Sequence, residues 1–254
     1  MKRTLTAAAL AALIAIGASP AARAAEGEAL LTYNWSFSGP FGRFDRAALQ
    51  RGLQVYREIC SGCHSLKYVA FRNLAALGYG EDEIKAMSEG YTVNDGPNDD
   101  GDMYERPGRP TDYFPSPFAN AKAAAAANNG AAPPDLSLMA KARVGGPDYI
   151  RSLMLGYEEP PAGFEPLEGL HYNAYFPGHQ IAMMPPLADD AVEYTDGTAA
   201  TTDQMATDVA NFLMWTAEPN LERRHSLGVS VVLFLLVFTG ILYAAKRKVW
   251  SDLH

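Results

Sequence analysis

The sequence predicts a mostly α-helical exported domain with long loops, tied to a membrane by a single C-terminal helix. Three observations carry that prediction. Several segments repeat apolar residues at helical spacing, while none alternates convincingly as a strand. A leader-like apolar run opens the chain, and a second, uncharged run of 20 residues, 226–245, stands near its end. The 254 residues include 21 Lys+Arg, 29 Asp+Glu and 2 Cys, for a formal net charge of −8. A hydrophobic content of 48% is enough for a packed core, which excludes a disordered chain. Two Cys cannot staple a domain of this size, which excludes a disulfide scaffold. The excess of acid excludes nucleic acid as the main partner.

Met1-Lys2-Arg3 precedes an apolar run at 5–18, and Gly17, Pro20 and then Ala22-Arg23-Ala24 follow. A basic start, an apolar stretch and an A-x-A site make residues 1–24 a cleavable signal peptide, so the remainder is exported. Across 43–56 the residues Phe44, Ala48 and Val55, with Ile59 beyond, keep near helical spacing and predict an amphipathic helix. Further helices are predicted at 81–88, 147–155 and 202–215, the last running on toward the membrane segment. The alanine-rich stretch 119–127 reads as helix on propensity. Between these, 94–117 and 158–186 are rich in Gly, Pro, Asn and Asp, and no sheet is expected.

As a helix, the uncharged run measures about 30 Å, the thickness of a bilayer's hydrocarbon core. Arg223, Arg224 and His225 flank it on one side, and Lys246, Arg247, Lys248 and Trp250 on the other. These flanks barely differ in charge, so the orientation follows from the signal peptide. Residues 25–222 are expected outside, 223–248 as an anchor with basic flanks, and 249–254 as a cytoplasmic tail. The location implied is a bacterial inner membrane, single-pass, with the domain in the periplasm.

Both cysteines lie in Cys60-Ser61-Gly62-Cys63-His64. C-x-x-C-H is the attachment signature of a c-type haem. The two thiols add across the haem vinyl groups as thioethers, and the adjacent His places an imidazole nitrogen on the iron. A thioredoxin-like pair would need a βαβ context that the sequence lacks, and a zinc site would need a second pair of thiols. A disulfide closing a two-residue loop would stabilise little. Export fits the haem reading, because c-type haem is attached outside the cytoplasmic membrane. The second axial ligand must come from the nine Met and the remaining His. Met183 and Met184 are favoured: Pro185 and Pro186 fix the backbone that presents them, and a thioether favours ferrous iron. His171 and His179 are rivals on chemistry alone.

Around this motif the sequence resembles the cytochrome c1 family over nearly the whole exported chain. The matching blocks begin with Tyr33-Asn34-Trp35-Ser36-Phe37, Arg51-Gly52-Leu53-Gln54-Val55-Tyr56 and the stretch from Cys60 to Arg72. They continue with Asn128-Asn129-Gly130-Ala131-Ala132-Pro133-Pro134-Asp135-Leu136-Ser137, Ala142-Arg143, Gly145-Gly146, Asp148-Tyr149 and Gly156-Tyr157. Tyr175-Phe176-Pro177-Gly178, the Met-Pro-Pro loop and the C-terminal anchor complete the order. The resemblance implies a class I-like cytochrome c domain, with long loops around one covalently bound haem and one transmembrane helix. It implies that Met183, two residues after Ile181, is the ligand and Met184 its neighbour. It further implies that Asn128, Pro134, Arg143, Tyr149 and Phe176 line the haem, with Arg143 on a propionate. Some bacterial relatives carry a further Cys pair that braces the pocket. This chain has none, so its Met loop is expected to be held by packing alone.

The resemblance also implies a function. The chain would take one electron from a Rieske iron–sulfur protein and pass it to a soluble or membrane-anchored cytochrome c, beside cytochrome b in a dimeric membrane complex that oxidises quinol. It would not be an enzyme on its own. The competing reading is a haem enzyme or sensor with an open iron position. Charge bears on the acceptor. Three basic residues lie in the leader (Lys2, Arg3, Arg23) and three in the tail (Lys246, Arg247, Lys248), against one acid (Asp252), leaving 15 basic and 28 acidic residues outside. Four acidic clusters, at 81–83, 99–102, 158–159 and 189–190, are candidates for steering a basic partner.

Overall fold

Asp45 opens the first helix by accepting from the amides of Ala47 and Ala48, at 2.9 and 3.3 Å. The computed structural model describes residues 28–251, so the expected signal peptide and residues 252–254 of the expected tail lie outside the described part. In order, the elements are α1 (Arg46–Glu58), 3-10 turns at Cys60–Gly62 and Phe71–Leu77, α2 (Glu81–Glu89), β1 (Thr92–Asp95) and β2 (Tyr104–Pro107). Then come α3 (Ala121–Ala127), α4 (Met139–Ala142), α5 (Pro147–Leu155), β3 (His171–Tyr172), β4 (Gln180–Ile181), α6 (Thr202–Ala217) and α7 (Leu221–Val249). The chain is mostly helical, as the sequence predicts.

The core forms where α1 crosses α6. Leu49, Leu53, Val55 and Tyr56 of α1 meet Met205, Val209, Phe212 and Leu213 of α6, all buried. The crossing is close because residue 52 is Gly: a Cβ there would fall on the backbone carbonyl of Asp208 and the Cβ of Phe212. Gly52→Ala must therefore push the helices apart, and it is expected to cost about 1–3 kcal/mol, read as a lower midpoint in chemical denaturation. A salt-bridged pair sits on the same crossing. Arg51 holds the fully buried carboxylate of Asp208 with two bonds of 2.9 and 3.0 Å, and it reaches Asp196 at 2.8 Å. The amide of Gln204 adds a third donor to Asp208. These bonds push the Arg51 pKa further up, against the effect of burial.

The N-terminal aromatic block has a structural use. Trp35 donates from its indole to Asp148 Oδ1 at 2.7 Å, Tyr33 N donates to the same oxygen, and Leu31 N donates to Ser152 Oγ. These bonds strap residues 31–35 across α5.

Two expectations are corrected. The expected absence of sheet gives way to two antiparallel hairpins, β1 with β2 (Thr92 opposite Pro107) and β3 with β4 (His171 opposite Ile181). No apolar alternation marks them, because neither face of β1 or β2 is fully buried. Ion pairs from Arg106 to Asp95 and Asp112 hold the first hairpin instead. The second correction concerns α6, which does not run on into the membrane segment. Pro219 cannot continue the ladder, and the chain turns at Glu218 before α7 begins.

That break creates the joint between domain and anchor. Glu218 pairs with Lys141 and Arg224, while Glu222 accepts from Phe44 N and pairs with Arg46. Beyond it, α7 is long and apolar enough to cross a membrane, and none of its most apolar window is buried by the rest of the described chain. A core helix of a soluble protein would be covered there.

Candidate functional site

The Cys60–Gly62 turn follows directly from α1. Cys63 N and His64 N both donate to Cys60 O, at 3.1 and 2.9 Å, so the motif is one tight coil. Both cysteines are free thiols. Burial, with Cys63 adding to it, pushes the Cys60 thiol up to about 12.

His64 is already oriented. Its Nδ1 lies 2.8 Å from the carbonyl oxygen of Pro134. A carbonyl only accepts, so Nδ1 carries the proton and Nε2 keeps its lone pair. Burial lowers the His64 pKa, against the Pro134 bond and Asp135, which favours the neutral ring a metal requires. The peptide of His64 is held as well, since Tyr56 Oη donates to His64 O.

Pro134 is fixed by the residue after it. Asp135 accepts from Ser65 Oγ (2.8 Å), Lys67 N (2.9 Å) and Ser137 N (3.0 Å), and Leu136 N donates to Ser65 O. Burial works to raise the Asp135 pKa, but these donors outweigh it and hold the carboxyl below its usual range. A depressed folded pKa gives stability that is complete above the unfolded value of about 3.9 and is lost as pH falls through the folded one. Asp135→Ala is expected to cost about 3 kcal/mol near pH 7. It should also flatten the acid limb of the stability–pH curve, measured by denaturant unfolding below pH 5.

The second half of the site is the Met loop, and it is not held by packing alone. Tyr157 Oη donates to Met183 O at 3.0 Å. Asn173 is completely buried at the turn between β3 and β4. Its Nδ2 donates to Leu153 O of α5, and its Oδ1 accepts from Tyr175 N and Phe176 N. These bonds form a polar brace for the loop. It also separates the two methionines: Met183 is half-buried and Met184 is 68% exposed. Of the rival ligands, His179 stacks on Tyr172 and His171 pairs in the β3–β4 ladder.

The motif residues are thus joined in two groups. Cys60, Cys63, His64 and Pro134 form one, and Phe176, Met183 and the α5 C-terminus form the other. Asn128 caps α3 through Ala124 O, Arg143 is exposed with a bond to Ala142 O, and Tyr149 is half-buried in the first turns of α5. Among the described residues no hydrogen bond joins these three to the thiols. A cavity of about 620 Å3, lined by Met154, Tyr157, His171 and Pro185 among others, lies against the Met loop and does not include the thiols. The residues missed on sequence are Asp135, Tyr157 and Asn173 as braces. Asp135 and Tyr157 stand in matching blocks, but a 26-residue separation hides the link from Tyr157 to Met183.

The donor set fits a haem. Two free thiols, a neutral imidazole with Nε2 available and a half-buried thioether match c-type attachment and axial ligation. Among the described residues there is no group of three or more His, Cys, Asp or Glu that could hold a metal ion. The model for the cytochrome c1 family matches residues 35–253. The chain belongs to the cytochrome c1 family. Cytochrome c1 of Rhodospirillum rubrum is 53% identical, with 99% of this chain and 97% of the relative covered. Cytochrome b/c1 of Bradyrhizobium diazoefficiens is 52% identical over 94% of this chain, which spans only 38% of that longer relative. The mitochondrial cytochrome c1 heme protein of Schizosaccharomyces pombe is 49% identical, with 90% of this chain and 74% of the relative covered.

Proposed function

We propose that this cytochrome c1 family chain carries one covalent haem c and works as the electron-transfer subunit of a membrane quinol–cytochrome c oxidoreductase. The observation that carries it is the His64 ring: Nδ1 is tied to Pro134 and Nε2 is free, directly after the two thiols. Thioethers would form at Cys60 and Cys63, with His64 and Met183 as axial ligands. The group would supply reversible one-electron storage. The protein's part is positional. The Asp135 brace fixes Pro134 and with it the imidazole, while Tyr157 and Asn173 fix the Met loop, so both ligands would be held in place for the group. Asn128, Tyr149 and Phe176 would wall the ring, and Arg143, exposed and free of any ion pair among the described residues, would meet a propionate.

In this reading residues 25–222 would lie in the periplasm, α7 would cross the inner membrane and 249–254 would lie in the cytoplasm. Cytochrome b is the membrane neighbour, a reading supported by the relative whose name joins b and c1. The donor would be a Rieske protein and the acceptor a soluble cytochrome c.

The structure bears on which acidic cluster serves that acceptor. Glu81, Asp82 and Glu83 occupy the first turn of α2, where acid favours the helix dipole, and Asp189 bonds Thr202 at the start of α6. Glu158 and Glu159 are exposed and follow Tyr157, the brace of the Met loop. Reversing both charges should slow reduction of a basic cytochrome c at low salt by about tenfold and flatten its ionic-strength dependence, in stopped-flow traces. An unchanged salt profile would take these two residues out of the docking surface.

The function is tested by a reduced-minus-oxidised spectrum with acid–acetone extraction. The expected result is a c-type spectrum whose haem stays with the polypeptide. Extractable haem would refute the attachment, and ready binding of carbon monoxide would favour an open-site haem protein.

A further inference from the structure

We propose that Asn129–Gly130 is a self-deamidation site, held shut in the folded chain by the end of α3 and by the haem beyond it. The haem half of the inference rests on the function proposed above, and the α3 half does not. This is the sole Asn-Gly pair in the 254 residues. Asn129 and Gly130 are both exposed. The side-chain amide of Asn129 lies beside Gly169 and makes no hydrogen bond among the described residues. Gly130 has no Cβ to shield its amide nitrogen, and the space where one would stand is open, with nothing within 4 Å.

The reaction needs no partner but water. The backbone nitrogen of Gly130 attacks Cγ of Asn129, and the new N–Cγ bond closes a succinimide ring. The Cγ–Nδ2 bond breaks, and ammonia leaves with the proton that Gly130 N gives up. Water then opens the ring at either carbonyl, which yields aspartate or isoaspartate. Nothing is oxidised or reduced. The nitrogen must be free to lose its proton and to turn toward Cγ, and in the folded chain it is not. Gly130 N donates to Ala125 O at 2.8 Å, the closing bond of a helix C-cap in which Asn129, with a φ of 50°, takes the left-handed position. A backbone nitrogen has a single proton to give. While α3 keeps its last turn, that proton belongs to Ala125.

The gate is weakly built. α3 has seven residues and buries only Ala124. A helix that short has little stability of its own and opens as a unit. Asn120 holds its start by accepting from Lys122 N and Ala123 N, both at 3.0 Å, and Asn128 holds its end by donating from Nδ2 to Ala124 O at 2.7 Å. Asn128 is also the residue proposed above to wall the haem. With the ring present Asn128 is packed and the cap beside it stays closed; without the ring the last turn opens more often. The product matters because of where it forms. Isoaspartate adds a methylene to the main chain and a negative charge one residue from the haem wall, so the turn at Asn129 is lost. A chain that waits without haem is thus altered at the wall that would receive it.

The test is peptide mapping by mass spectrometry on the full-length chain in detergent, incubated in mildly alkaline buffer, following conversion of Asn129 to aspartate and isoaspartate. The urea-unfolded chain sets the ungated rate, and the folded, haem-loaded chain should react more slowly by on the order of tenfold. Asn120→Ala, which removes the cap from the other end of α3, should speed the loaded chain by about fivefold. Cys60→Ala with Cys63→Ala, which cannot attach haem, should speed it as well. Equal rates in the folded and unfolded chain, or no change in Asn120→Ala, would overturn the α3 gate. A haem-free variant as slow as the loaded chain would overturn the haem half alone, and no conversion even in urea would overturn the site itself. If the wild-type chain holds no covalent haem, the proposed function fails, while Asn120→Ala against wild type still reads the gate.

Discussion

Met183→Leu lowers the midpoint potential by on the order of 0.2–0.3 V and opens the ferrous protein to carbon monoxide, whereas Met184→Leu does neither. The contrast comes from exposure. Two adjacent residues of the same type share a loop, but Tyr157 anchors the carbonyl of Met183, which is half-buried, while the side chain of Met184 is 68% exposed. Removing a soft thioether destabilises ferrous iron selectively, so the potential falls. Leu is close in volume to Met, so packing of the loop should survive and the effect should be one of ligation. A redox titration of both variants checks this, and equal shifts in the two would refute the assignment. Tyr157→Phe provides the graded case: with only the anchor removed, a smaller fall in potential is expected than in Met183→Leu.

Arg51→Met destabilises the domain by about 3–5 kcal/mol, the largest folding effect expected of any single change considered. Asp208 is fully buried and takes two of its three side-chain bonds from Arg51. Truncating the guanidinium leaves that carboxylate with Gln204 alone, in an interior where unpaired charge is costly. For a domain of this size the loss corresponds to a thermal midpoint lower by about 10 °C. The double variant Arg51→Met with Asp208→Leu should recover most of it, because a buried ion pair is worth little more than an apolar pair of similar volume. Calorimetry on the two variants checks the sign of the coupling. A double variant as unstable as the single would mean that Arg51 acts by packing over Tyr194, whose ring lies 5.8 Å from its guanidinium carbon.

The parts legible in the sequence are those that local pattern encodes. The periodic apolar residues of 43–56 place the first helix within about three residues of Arg46–Glu58, and Pro147 with Asp148 marks the start of α5 directly. The motif at Cys60 to His64 needed no fold to be read, because the chemistry of attachment fixes its spacing. What was not legible depends on distant pairs. The hairpin of Thr92–Asp95 with Tyr104–Pro107 is held by Arg106 and shows no apolar alternation. The brace from Tyr157 to Met183 and the bonds of the buried Asn173 join segments that only the fold brings together. The break at Pro219 is local, but the apolar pattern of 202–215 points onward to the anchor and masks it.

The proposed function stands on a haem iron held between His64 and Met183 in this cytochrome c1 family chain. Iron K-edge absorption on the purified full-length protein tests it most directly. The account predicts four pyrrole nitrogens, one imidazole nitrogen and one sulfur around the iron, with the sulfur lost in Met183→Leu and kept in Met184→Leu. A second imidazole nitrogen in place of the sulfur, or a five-coordinate iron in the wild-type protein, would contradict it.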